Sequence, residues 1–326
     1  MRRRDVVALF GGIPVFWSHF GAAQPYGVMR RVGVLIGSQK DTEAQRLAAV
    51  IPQRFAELGW MEGHDLALEF RWAPDGDPQR KAARELIELG PDAILGVGTP
   101  VYGLARETRT IPIVFVRLFD PVETGLVTSL PRPGGNITGF TVYDSLMSGK
   151  WVELLREVAG HLSRAGIVHY PETKSQALMV SGVSAAALSL GMRAVGIGVH
   201  DAAEIEQALN GFASEPNGGI VALPSPVTIS NRALVIALAT RHRMPAIYPF
   251  RFFAAEGGLM SYGADLAEQY RQGVTYIDRI LKGAQVGDLP VQQASKFELV
   301  INLNTAKALG LIVPQSLLAR ANEVIE

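Results

Sequence analysis

Four loops carry the residue types best suited to hold a small polar molecule: Gly37-Ser38-Gln39, Gly98-Thr99-Pro100, Phe119-Asp120-Pro121 and Leu223-Pro224-Ser225-Pro226. Each follows an apolar run that reads as a strand, and all but the Asp120 loop precede a helical pattern. A loop in that place offers hydroxyls and the unpaired backbone N–H groups of a helix N-terminus to an anionic group. The Asp120 carboxylate offers the converse, a partner for an ammonium. The same residues also cap helices, with Pro at the first turn, so type alone leaves both roles open. Thr99 and Ser225 point further, because they hold equivalent places in two similar halves of the chain. Tyr143, Tyr170, Tyr248, Phe250 and Tyr262 lie near strand ends. They are candidate walls for a small organic molecule, with about half expected to pack in the core instead. Arg251 follows a second-half strand and has the fork to grip a carboxylate bidentately, or else begins a surface helix.

Motifs for catalysis are missing. Gly96-Val97-Gly98 lacks the third glycine of a dinucleotide fingerprint, and Ser148-Gly149-Lys150-Trp151 lacks both the upstream glycine and the hydroxyl residue of a P-loop. There is no Gly-x-Ser-x-Gly elbow and no His-Glu-x-x-His helix. Six histidines are scattered, and His169 alone falls near a strand end, where a hydrogen-bonded surface role outweighs a catalytic one. No cofactor or metal site is expected.

The elements that must position these loops come in two rounds. Val32 to Ile36, Leu66 to Trp72, Ala93 to Val97 and Ile113 to Val116 read as strands. Helical patterns over Thr42 to Leu58, Pro78 to Leu89 and Pro100 to Glu107 separate them. The order restarts with strands Ala165 to His169, Ala194 to Val199, Gly219 to Leu223, Ala246 to Tyr248 and Leu259 to Tyr262. The intervening helices are predicted over Thr173 to Leu190, Ala202 to Phe212 and Ser230 to Arg241. Leu58-Gly59 mirrors Leu190-Gly191, and the stretch Pro91 to Pro100 mirrors Asn217 to Pro226, so a unit of about 130 residues is used twice. Continuous apolar strands alternating with helices predict an α/β chain of two doubly wound parallel-sheet lobes. Arg132 to Phe140, Gly257-Gly258 and Gly283 to Pro290 are the Pro- and Gly-marked places where the chain can cross between lobes, making a three-crossing hinge. The expected lobes are residues 24–141 plus 264–290, and 142–263 plus 291–326.

Composition excludes several classes. The 31 basic and 31 acidic residues balance without a basic cluster, so no nucleic-acid partner is expected. Cysteine is absent, which removes disulfides, thiolate sites and a lipoprotein anchor. Met1-Arg2-Arg3-Arg4, an apolar run from Val6 to Phe20, and Gly21-Ala22-Ala23 read as a signal peptide over 1–23 cleaved near Ala23. The run is too short and too interrupted by Gly11, Gly12 and Pro14 for a membrane-spanning helix. Paired arginines leave the Sec and twin-arginine routes both open, and either delivers the chain to the periplasm. The mature chain would hold 28 basic and 30 acidic residues.

Several short motifs taken together resemble the ABC-transporter substrate-binding proteins of the tryptophan-binding type, within the type I periplasmic binding fold. They are Gly98-Thr99-Pro100, Asp120-Pro121, Arg132 to Gly139, Ile247-Tyr248-Pro249, Gly257-Gly258-Leu259, Leu281 to Ala284 and Ala308 to Pro314. The resemblance covers the chain from about Arg31 onward. It implies capture of a small molecule, an amino acid or another carboxylate, by closure of two lobes, and hand-over to an ABC permease by a monomer that performs no reaction. The pocket positions it implies are Ser38, Gln39, Gly98, Thr99, Pro100, Asp120, Thr141, Tyr170, Pro171, Glu172, Thr173, Ser225, Pro249 and Phe250. Members that bind aromatic amino acids tend to carry an acid or amide after the Leu-Pro of the second lobe, where this chain has Ser225-Pro226. The competing readings are a metabolite-sensing regulator of the same fold, which would need a basic helix-turn-helix ahead of the first lobe, and a secreted α/β enzyme, which would need a catalytic or nucleotide motif at a strand end.

Overall fold

A computed structural model of the protein describes residues 29–38, 40–73, 76–142 and 147–326. The expected signal segment 1–23, Gln39 and Tyr143 lie outside them. The first part of the chain runs β1 (Arg30–Ile36), α1 (Thr42–Ala48), α2 (Val50–Glu57), β2 (Leu66–Trp72), α3 (Asp77–Glu88), β3 (Ala93–Val97), α4 (Pro100–Glu107), β4 (Ile113–Leu118) and β5 (Ile137–Thr141). The middle runs α5 (Met147–Val158), β6 (Arg164–His169), α6 (Lys174–Ser189), β7 (Arg193–Gly198), α7 (Ala202–Ala213) and β8 (Gly218–Ala222). It continues with α8 (Pro226–Ser230), α9 (Arg232–Arg241), β9 (Ala246–Tyr248), α10 (Arg251–Ala255) and β10 (Met260–Ala264). The last part is α11 (Leu266–Leu281), β11 (Gln292–Gln293), β12 (Phe297–Asn302), α12 (Leu303–Ala308), α13 (Gln315–Leu318) and β13 (Glu323–Ile325).

The strands form two sheets. The first has the order β11-β5-β4-β3-β1-β2 and the second β13-β12-β10-β9-β8-β6-β7. Five strands of each share one winding, so β2-β1-β3-β4-β5 corresponds to β7-β6-β8-β9-β10, as the sequence repeat predicts. Every pairing is parallel except β10 with β12. Both faces of the central strands are covered, which is why β3 is apolar and buried at all five positions.

Two helices are exchanged between the lobes. After β5 of the first sheet, α5 packs on β8, β9 and β10 of the second. After β10 of the second sheet, α11 returns to pack on β3, β4 and β5 of the first. Tyr270, Val274, Ile277 and Leu281 give α11 a buried stripe at helical spacing. Gly273 lets it lie close, since a Cβ there would stand 2.7 Å from a Val116 methyl.

The crossings therefore fall between β5 and α5, between β10 and α11, and between β11 and β12, not at the three stretches expected. Arg132 to Phe140 runs into β5, whose five residues are all buried against β4. Gly257 and Gly258 stay inside the second lobe, with the Gly258 N–H bonded to Phe253 at 2.8 Å. The Gly283 to Pro290 stretch stays on the first lobe, where the Leu289 carbonyl accepts the Thr138 hydroxyl at 2.6 Å. The second and third crossings are tied together: the Asp265 N–H donates to the Lys296 carbonyl at 3.0 Å, and Lys296 Nζ lies 2.7 Å from the Asp265 carboxylate. Burial opposes ionisation of Asp265, but Lys296 and the Glu268 N–H together hold its carboxyl below the usual range.

One helix predicted as continuous is broken and another starts late. Thr42 to Leu58 divides at Ala49, because Pro52 has no N–H to give to the Ala48 carbonyl. The helix expected from Ser230 to Arg241 starts at Arg232, since the Asn231 side chain donates back to the Val227 carbonyl at 2.9 Å and competes with the helix. Among the described residues no helix is long and apolar enough to cross a membrane.

Candidate functional site

The carboxyl ends of the two sheets border one cavity of about 500 Å³, within the range usual for small-molecule sites. The first lobe contributes Gly37, Gly98, Thr99, Tyr102, Arg117, Phe119, Asp120, Glu123 and Thr124. The second contributes Tyr170, Glu172 to Gln176, Pro224 to Pro226, Ile229 and Ser230.

Close backbone approach shapes the first-lobe wall. A Cβ on Gly37 would lie 2.5 Å from the Pro100 ring, and Gly98 adopts φ +78 with the Arg117 guanidinium against it. The end of β4 then departs from regular strand. Its register against β5 shifts between Phe115 and Leu118, and both Arg117 (φ 56) and Asp120 (φ 45) are left-handed. Each such non-glycine residue costs about 1–2 kcal/mol and needs outside support. Gln269, 2% exposed on α11, supplies it: its Oε1 accepts the Arg117 N–H at 3.1 Å while its Nε2 donates to the Thr141 carbonyl at 2.7 Å. Thr99 is held by Gln79, whose Nε2 lies 3.2 Å from its hydroxyl.

In the second lobe Thr173 caps α6 by accepting the Gln176 N–H at 3.3 Å, and Ser225 caps α8 in a reciprocal box with Thr228. Gln176 joins the two loops, since its Oε1 accepts the Tyr170 N–H at 3.2 Å and its Nε2 donates to the Pro224 carbonyl at 2.9 Å. A polar residue so deep in an apolar helix face marks a tie of this kind.

The cavity is zwitterionic. Arg117 and Lys174 face it with Asp120, Glu123 and Glu172. Burial, reinforced by the neighbouring Glu123 carboxylate, pushes the Asp120 carboxyl above the usual range. A cation placed beside it would reverse that shift. Tyr102, Phe119 and Tyr170 supply aromatic surface.

Of the positions expected from sequence, Gly98, Thr99, Asp120, Tyr170, Glu172, Thr173 and Ser225 line this cavity, and Gln39 lies outside the described residues. Ser38 borders a smaller adjoining void with Arg117 and Arg232. Pro100 is buried behind Gly37, and the Thr141 carbonyl is taken by Gln269 and Ala294. Pro171 lies against Gly198 away from the cavity. Pro249 and Phe250 do not border it: the Pro249 carbonyl presses on Gly263, and Phe250 is 2% exposed beside Phe252. Among the aromatics, Tyr248 stacks on Phe253 and Tyr262 on Phe297. Arg251 does grip a carboxylate bidentately, but it is the protein's own Glu323, at 2.7 and 2.6 Å. Sequence reasoning missed Tyr102, Arg117, Lys174 and Gln176; Gln176 alone left a signal.

Comparison with known proteins gives a consistent result. The family model described as ABC transporter substrate binding protein matches residues 51–325. A curated relative from Clostridioides difficile (strain R20291), described as a tyrosine-binding protein, is 27% identical over 259 residues, 78% of this chain and 74% of the relative. A conserved domain protein from Vibrio cholerae superposes with a TM-score of 0.81 at 26% identity, covering 91% of this chain and 99% of that one. An ABC domain from Streptococcus pneumonia, solved in complex with L-Trp, gives a TM-score of 0.82 at 24% identity over 91% of this chain and all of that one.

Proposed function

This chain belongs to the ABC transporter substrate-binding proteins, and from that premise we propose that it captures an aromatic amino acid between its lobes and delivers it to a membrane permease. The observation that carries the ligand class is a single two-lobed cavity holding the Asp120 carboxylate, its pKa raised by burial and by Glu123, two cationic side chains and aromatic walls. Asp120 takes the ligand ammonium. Arg117 and the N-termini of α4 and α6, with Thr99 and Thr173, suit its carboxylate. Tyr102, Phe119 and Tyr170 suit its ring. The tyrosine-binding relative supports the same class. The serine that stands at Ser225 in place of an acid or amide is no obstacle on this reading, because Asp120 supplies an acid from another loop.

The rest of the reading follows the family. The protein performs no reaction, acts as a monomer, and works in the periplasm after residues 1–23 are removed. Its lobes comprise 24–141 with 264–290, and 142–263 with 291–326, although β11 stays on the first sheet. A ligand that touches both lobes favours the closed form only by its differential affinity for it.

Titration calorimetry with L-tyrosine, tyramine and the des-amino analogue of tyrosine tests the assignment. L-Tyrosine is expected to bind, and each amputated analogue to bind about 10- to 100-fold more weakly, the worth of one charge-assisted hydrogen bond. Equal binding of tyramine or the des-amino acid, or of no aromatic amino acid at all, would sink it.

A further inference from the structure

We propose that His200 positions the Tyr170 to Thr173 edge of the cavity, so that ligand affinity falls as His200 loses its proton. This rests on the cavity being the ligand site. His200 stands outside the cavity, one residue before the Asp201 cap of α7. Its two ring nitrogens face two carboxylates: Nδ1 is 2.8 Å from Glu204 and Nε2 is 3.0 Å from Glu172. On the Glu204 side the attachment is fixed, because the His200 N–H also donates to that oxygen at 2.9 Å and Asp201 takes the Glu204 N–H at 2.9 Å. On the other side Glu172 lines the cavity, as does Tyr170, whose ring meets the imidazole edge-on at 5.7 Å. Glu172, Glu204 and Tyr170 are the titratable groups that face the ring from the elements packed around it.

A neutral imidazole has one N–H, so one of its nitrogens would turn a lone pair toward a carboxylate. Only the imidazolium donates to both and spans from α7 to the cavity loop. Consistently, the hydrogen bonds that Glu172 and Glu204 accept from the ring raise the His200 pKa. The sign follows: the bridge is complete below that raised pKa and is lost as pH climbs through it. All three side chains are about half exposed, so solvent screening limits the effect to roughly two- to fivefold in affinity. Protonation of Asp120 weakens binding on the acid side and loss of the ligand's own ammonium proton weakens it at higher pH, which leaves the step through the His200 midpoint between them to His200.

The full chain is titrated by histidine NMR and by calorimetry with L-tyrosine across neutral and alkaline pH. The His200 signal, assigned through His200→Gln, should titrate above an ordinary histidine and move down in Glu172→Gln. Affinity should fall about two- to fivefold through that midpoint in the native protein and stay flat in His200→Gln. A His200 midpoint indifferent to Glu172→Gln, or a fall in affinity through that midpoint that survives His200→Gln, overturns the proposal. If L-tyrosine binds at no pH, the amino-acid reading fails and the Tyr170 ring signals decide. Signals that follow the His200 titration support the positioning role, and signals indifferent to it refute it.

Discussion

Replacing Gln269 by Leu should loosen the cavity from behind without touching its surface. The side chain is 2% exposed and satisfies two backbone groups at once, the Arg117 N–H and the Thr141 C=O. Leucine keeps the volume but accepts and donates nothing. The Thr141 carbonyl retains the Ala294 N–H at 3.0 Å, so its loss is small. Among the described residues Gln269 is the partner of the Arg117 N–H, and orphaning that group costs about 1–3 kcal/mol. Because Arg117 is left-handed, the strain it stores loses its counterweight, and the total should approach about 2 kcal/mol. Gln269→Glu should fall between the two, since its carboxylate still accepts from Arg117 but repels the Thr141 oxygen. Urea unfolding followed by circular dichroism reads the stability, and calorimetry with L-tyrosine reads the cavity. A Gln269→Leu protein within about 0.5 kcal/mol of the native one, the scatter expected of an unremarkable surface change, would refute the claim that this amide supports the strand end.

Asp120→Asn should weaken L-tyrosine binding about 10- to 100-fold while leaving the melting temperature level or higher, because burial beside Glu123 already disfavours the charge. Native affinity should fall as pH drops through the raised Asp120 pKa, and a variant that keeps this acid limb would assign it elsewhere. Gly98→Ala forces a side chain into φ +78 and sets its Cβ 3.3 Å from the Arg117 guanidinium, whereas Gly59→Ala meets φ +92 with nothing within 4 Å. Both should lose about 1–2 kcal/mol in denaturant melts, but only the first should lose affinity. Burial and the nearby Asp265 carboxylate push the Glu298 carboxyl up to about 7. The folded state then holds a proton that the unfolded chain has released, so stability should decline as pH rises from the usual carboxylate range to about 7. Glu298→Gln should flatten that decline in melts taken across the same range; an unaltered slope would place its origin in another group.

The repeat, the sheet order and the loops at the strand ends were legible in the sequence because each rests on local periodicity. Thr99 and Ser225 could be paired by their places in the two halves. What stayed hidden depends on partners far along the chain. Nothing near Arg117 announces that Gln269, 152 residues away, will hold its N–H and stabilise a left-handed bulge. Phe250 and Thr141 sit at strand ends as ligand residues would, yet Phe250 turns inward to the aromatic packing around Phe252, and the Thr141 carbonyl is consumed by α11. Pro- and Gly-rich stretches marked turns correctly but not crossings, because a crossing is defined by which sheet the next helix covers. Asp120 was legible for its charge, and the cause of its raised pKa, burial beside Glu123, was not.

The exchange of α5 and α11 also sets an order of events on the ribosome. When residue 141 has been made, five of the six strands of the first sheet are threaded but one face is bare, and the helix that will cover it ends 140 residues later at Leu281. Neither half can mature early, so a nascent chain of this design remains an unfinished thread until almost all of it has been synthesised.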